Sequence, residues 1–146
     1  MIAILSDIHA NLEALEAVLD DMGELDVEAV YCLGDTVGYG PNPGECLDVM
    51  MHFQVALLGN HEEAARGEPE GFTPEAAVAA RWTRQQLLVV QEGGEDPDER
   101  QRFRENLPST HEVGDFLYVH GSPRDPTREY IFPRDATDSG KMIERT

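Results

Sequence analysis

Apolar residues come in short bursts, each closed by a polar turn that carries aspartate, asparagine or histidine. The run Ile2 to Leu5 (IAIL) is continuous and predicts a strand buried on both faces. Leu12, Leu15, Leu19 and Met22 recur at helical spacing, with Glu13, Glu16, Asp20 and Asp21 between them. That pattern predicts an amphipathic helix of about three turns with Asn11 as its N-cap. Val27 to Leu33 (VEAVYCL) reads as a second strand, and Gly34 and Asp35 follow it. The stretch Gly38 to Glu45 is dense in Gly, Pro and Asn and reads as a loop. Glu45 to Met51 suits a short helix, and Phe53 to Leu58 a third strand closed by Gly59-Asn60-His61-Glu62. Strand, helix, strand, helix, strand predicts a parallel α/β sheet. Function in such sheets gathers at the carboxyl ends of the strands.

A helical insert is expected over residues 67–110 of a single domain spanning 1–146. Thr73 and Pro74 make an N-cap and first-turn pair ahead of a helix from Ala76 to Leu88. A polar loop over Gln91 to Glu99 and a short helix over Glu99 to Asn106 follow. Phe116 to Val119 (FLYV) reads as a strand, closed by His120-Gly121-Ser122-Pro123. Asp135 to Thr146 are polar and show no closing element.

Charge sharpens the picture. The chain has 146 residues, 11 basic and 29 acidic, for a net charge of −18. Thirteen acidic residues precede the first basic one, Arg66. Such a field repels nucleic-acid backbones, so no duplex binding is expected, whereas divalent cations are attracted. No apolar run reaches the roughly 20 residues that span a bilayer, so no membrane partner is expected. The N-terminus lacks a basic leader, and two cysteines make no disulfide framework; both point to a cytoplasmic protein.

Four segments now share one layout, a strand followed by a turn holding metal-capable side chains. They are Asp7-Ile8-His9, Gly34-Asp35, Gly59-Asn60-His61-Glu62 and His120-Gly121. Carboxylate, amide and imidazole together suit borderline divalent ions such as Mn, Fe, Co, Ni or Zn. His52 and His111 precede strands and fall at the opposite end from this constellation. Cys32 and Cys46 read as structural, and Trp82 as packing. Glu62 reads either as a carboxylate orienting His61 or a ligand from behind, or as a helix-start acid.

These segments carry a resemblance. SDIHANLEALEAVL (6–19), LGDTVGYGPNPGEC (33–46), LLGNHEEA (57–64), AARWTRQQL (79–87) and FLYVHGSPRDP (116–126) resemble the calcineurin-like metallophosphoesterase superfamily, in its small prokaryotic phosphodiesterase branch. The resemblance implies a β-sandwich flanked by helices and two divalent metal ions, manganese foremost. Asp7 and His9 would bind one ion, Asn60 and His120 the other, and Asp35 would bridge them. His61 would donate a proton to the leaving oxygen or stabilise its charge. Two such ions, roughly 3.5–4 Å apart, activate a hydroxide toward a phosphate ester.

Two departures matter. Gly38 and Tyr39 stand where animal-type protein phosphatases of the superfamily carry Asp and Arg, so phosphoprotein phosphatase activity is not expected, and Arg124 is the candidate substrate contact instead. The superfamily's Gly-His-x-His segment has no counterpart here, the last histidine being His120. The chain is therefore expected to be the N-terminal portion of a metallophosphoesterase. It would be a phosphodiesterase or phosphomonoesterase with impaired activity, its unfinished sheet open to oligomerisation. The alternative is a non-catalytic scaffold or protein-binding module on the same fold.

Overall fold

A computed structural model describes residues 1–89 and 93–135. Three parallel strands, β1 (Ile2–Leu5), β2 (Ala29–Cys32) and β3 (Val55–Ala56), form a sheet in that order. Helix α1 (Leu12–Gly23) connects the first pair and α2 (Pro43–Met50) the second. Then come α3 (Asn60–Arg66), α4 (Pro74–Gln86) and α5 (Pro97–Glu105), and an antiparallel pair, β4 (Thr110–Val113) and β5 (Phe116–Val119). The fold is mixed α/β with a parallel sheet, as the strand–helix alternation predicts. No helix among the described residues is long and apolar enough to cross a membrane.

Helix starts follow the capping chemistry. The Asn11 side chain accepts from the Ala14 N–H at 3.1 Å, and the Thr73 hydroxyl from the Ala76 N–H at 3.3 Å. Helix α2 begins two residues before its expected start because Pro43 fits a first turn without needing a hydrogen-bond donor. β3 is shorter than the apolar run 53–58. The Gln54 side chain accepts from the Val30 N–H at 2.6 Å in place of a main-chain partner, and the Leu57 N–H reaches the Cys32 carbonyl at 2.9 Å beyond the strand.

Cys32, Val37, Leu47, Met50, Ala65, Leu87 and Leu107 form the main core, under the helices. Tyr31, Val55 and Leu57 form a second cluster against Tyr118 of β5. Both cysteines are buried in their expected structural role.

The structure corrects one expectation and refines two others. β1 is not buried on both faces: Ile2 is 45% and Ile4 53% exposed, while Ala3 and Leu5, which alternate to the other face, are half-buried. Trp82, read as packing, has most of its surface covered but is 38% exposed. Helix α4 buries Ala76, Ala80 and Thr83, and Trp82 lies off that stripe. The strand Thr110–Val113 is not foreshadowed by its sequence, since three of its four residues are polar. It exists through its ladder with β5, around a turn at Gly114 with φ +56°. The expected loop over 91–99 is described only from residue 93, and of the polar tail 135–146 all but Asp135 lies outside the described residues.

Candidate metal centre

The parallel ladder does not stop where the strands stop. Leu33 N–H donates to the Leu5 carbonyl (2.9 Å), Asp7 to Gly34 (3.1 Å), His9 to Asp35 (2.9 Å) and Ala10 to Thr36 (2.7 Å). The turn after β1 is thereby zipped to the turn after β2, which puts Asp7 and His9 beside Asp35. The turns are sharp. Asp7, His9 and Asp35 take φ values of +56°, +50° and +54°, each costing about 1 kcal/mol or more for a residue with a Cβ. Hydrogen bonds along the whole segment hold them there.

Glu62 supplies most of that hold on the Asp35 turn. Its carboxyl is fully buried. One oxygen accepts from the N–H groups of Asp35 (2.8 Å) and Gly59 (2.9 Å), the other from Thr36 (2.8 Å) and Val37 (3.1 Å). Burial pushes this carboxyl above the usual range, the Asp35 charge adds to the push, and the N–H donors oppose it. Glu62 thus fastens the Asp35 loop to the start of α3, and does not touch the His61 ring. Its three bonds to the loop 25 to 27 residues upstream carry no signal in the sequence beyond an acid in a first helical turn. Gly59 must be glycine, because a Cβ there would lie 2.1 Å from the Asp35 Oδ1.

Asp7, His9, Asp35, Asn60, His61 and His120 all line one hollow of about 330 Å³. Asp35 Oδ2 lies 3.4 Å from His120 Nε2, 3.9 Å from His9 Nε2 and 4.0 Å from His61 Nε2. His9 Nε2 is 3.6 Å from Asp7 Oδ1, and His120 Nε2 is 3.0 Å from Asn60 Oδ1. Two donor groups emerge, His9–Asp35–His61 and Asp7–Asp35–His120, the atoms of each within 4.8 Å of one another. Asp35 belongs to both. This partition differs from the expected one, which pairs Asp7 with His9 and leaves His61 outside the ligand set.

Electrostatics couple the same groups. Burial alone would raise the Asp35 carboxyl, but the hydrogen bond and charge of His120, with the His61 N–H (2.9 Å), outweigh it and hold it below the usual range. Burial alone would lower His120, and Asp35 overrides it upward. His61 goes the other way: burial dominates and favours the neutral imidazole. Carboxylates and imidazoles converging on a shared hollow, with Asp35 in both groups, are a donor set of the kind that suits divalent cations.

One sequence candidate, Arg124, lies elsewhere, as do the two histidines expected to fall outside the constellation. Arg124 binds Glu129, with Nε 3.2 Å from Oε2, and is not among the residues lining the hollow. His52 is 3.9 Å from Glu95, and His111 packs on Tyr31 with ring centroids 5.5 Å apart, both away from the hollow. The arginine that does line the hollow is Arg128, held 2.8 Å from Glu63. It lies four residues beyond Arg124, on a turn whose bonds, such as Gly121 N–H to the Pro126 carbonyl (2.6 Å), no spacing announces.

A model of the calcineurin-like phosphoesterase family matches residues 1–144. An uncharacterized Methanocaldococcus jannaschii protein is 35% identical over 141 residues, 91% of this chain and 54% of its own length. A crystal structure of a metallophosphoesterase from Sphaerobacter thermophilus superposes with a TM-score of 0.72 at 42% identity, over 90% of this chain and 51% of that one. A Pyrobaculum aerophilum protein named tRNA pseudouridine synthase A matches 75 residues at 32% identity, 51% of this chain and 28% of its own. The chain thus spans about half the length of the first two relatives.

Proposed function

Since the chain belongs to the calcineurin-like phosphoesterase family, we propose that it hydrolyses phosphodiesters or phosphomonoesters at a pair of divalent ions, manganese foremost. The observation that carries this reading is the position of Asp35, shared by two three-residue donor groups in one hollow.

In the reading proposed here, Asp7, His9, Asp35, Asn60 and His120 hold the ions, with Asp35 between them. Bound there, the ions supply Lewis acidity toward the phosphoryl oxygens and a more acidic water. Asn60 and His120, 3.0 Å apart, keep each other's donor atoms aimed into the hollow. His61 stands beside them with its ring 5% exposed. Its neutral imidazole suits donation of a hydrogen bond to the leaving oxygen better than storage of a full positive charge. Arg128, at the rim, is closer to an ester in this hollow than Arg124, which its bonds to Glu129 hold off the wall. Turnover by this chain is expected to be weak, because the Gly-His-x-His histidines that the resemblance calls for have no counterpart in it.

Titration calorimetry tests the reading. The 146-residue chain should bind Mn²⁺ at sub-millimolar concentration, and Asp35→Asn should weaken that binding at least about a hundredfold. Failure to bind Mn²⁺, Ni²⁺ or Zn²⁺ would favour a non-catalytic scaffold. Release of nitrophenol from bis-p-nitrophenyl phosphate at a full rate would contradict the expected weakness.

A further inference from the structure

A second hollow, also about 330 Å³, opens on the far side of His61. It shares Tyr39, Asn60, His61, Arg128 and Tyr130 with the first. Its own wall runs from Glu70 through Phe72 to Ala76, in the loop before α4 and that helix's first turn. None of Asp7, His9, Asp35 or His120 reaches it. His61 is the partition. Its Nε2 faces Asp35 at 4.0 Å, while Phe72 meets the same ring edge-on at 4.9 Å. Tyr39 covers the partition from above, 4.5 Å from His61 and 4.9 Å from His9.

The aromatic residues here are arranged at a cost. Tyr39 holds a left-handed backbone, φ +61°, with its side chain 58% exposed, and Tyr130 is 72% exposed. A single exposed ring needs no explanation. Two exposed rings and a half-buried third around one hollow, continuous with a cluster of metal donors, match the usual build of a small-molecule site. The hollow sits at the lower end of the usual range, about 300–1,000 Å³, which is room for one ring system with a sugar or short chain. Its charge excludes the other obvious occupant. Glu70 lines it, Glu63 holds Arg128 at its rim, and the whole chain carries −18, so a second phosphate is disfavoured there.

We propose that this hollow is a subsite for a flat aromatic group on the leaving alcohol of the ester, gripped by Tyr39, Phe72 and Tyr130. The preferred substrates are then phosphate esters of aromatic-bearing alcohols. The ester's place beside the ring rests on the phosphoesterase reading above; the affinity of the hollow for the ring does not.

The free alcohols test this without turnover. Adenosine and ribose form one pair, benzyl alcohol and butanol another. Binding to the 146-residue chain is measured by saturation-transfer NMR and titration, with and without Mn²⁺. Adenosine should bind at least about tenfold more tightly than ribose. Tyr130→Ala and Phe72→Ala should each weaken adenosine about fivefold or more, and Tyr130→Phe should retain it. If Phe72→Ala does not fold, the exposed Tyr130 variants decide. A preference for benzyl alcohol over butanol as large as that for adenosine over ribose means any ring suffices; preference for adenosine alone identifies the nucleobase. Adenosine binding no tighter than ribose, or indifference to both alanine variants, overturns the subsite. Mn²⁺ binding without aromatic preference overturns the subsite alone, whereas aromatic preference without any Mn²⁺ binding overturns the phosphoesterase reading and leaves the subsite.

Discussion

Replacing Glu62 with glutamine keeps the side chain's shape and exchanges one carboxylate oxygen for an NH₂ group. Whichever oxygen is lost, two main-chain N–H groups, either Asp35 and Gly59 or Thr36 and Val37, face a donor instead of an acceptor. Water has no access, since Glu62 is fully buried. Each orphaned buried N–H costs about 1–3 kcal/mol, so the pair costs about 2–6. The neutral amide recovers part of the expense of burying a charge, leaving a net loss of about 2–4 kcal/mol. Urea unfolding of a domain this size, with a slope of about 2 kcal/mol per molar, should show the midpoint falling by about 1–2 M. Mn²⁺ affinity should fall with it, because Asp35 rides on the loosened turn. A midpoint within about 0.3 M of the wild type, with unchanged Mn²⁺ binding, would refute the argument that Glu62 holds the Asp35 loop in place.

Three further outcomes are expected. Asp48→Ala removes the carboxylate from the fully buried Arg100, whose Nε and Nη2 each lie 2.6 Å from the Asp48 oxygens, and should destabilise the fold by about 2–4 kcal/mol in the same urea assay. Burial raises the Cys32 thiol from 9.0 to about 11 and Cys46 from 9.0 to about 12, so iodoacetamide should leave both unmodified at pH 8 until the chain unfolds. From pH 9 upward the unfolded chain loses thiol protons that the folded chain keeps, and unfolding free energy should therefore decline through that window.

The site was legible in the sequence to the extent that each ligand type follows its own apolar strand. Asp7, His9, Asp35, Asn60, His61 and His120 do meet in one hollow. What spacing could not reveal is cross-strand bonding. The clamp of Glu62, the ladder continuing from β1 and β2 into their turns, and the Arg128 turn all depend on partners far away in the chain. The strand Thr110–Val113 was hidden for a similar reason, since its pairing with β5 outweighs a mostly polar composition. β1 misled in the opposite sense. A continuous apolar run looks doubly buried, yet successive side chains of a strand point to opposite faces, and Ile2 and Ile4 share the less covered one.

Helix α3 is only seven residues long, and both its ends are tied down. Its first turn carries Asn60, His61 and Glu62, while the Ala65 carbonyl near its other end accepts from Arg84 of α4 at 3.1 Å and Arg104 of α5 at 3.5 Å. A rod so short cannot tilt at one end without shifting the other. The donor-lined hollow therefore inherits its aim from the two helices behind it. Sequence drift in that rear layer, remote from the hollow, offers evolution a tuning screw for the geometry at the front.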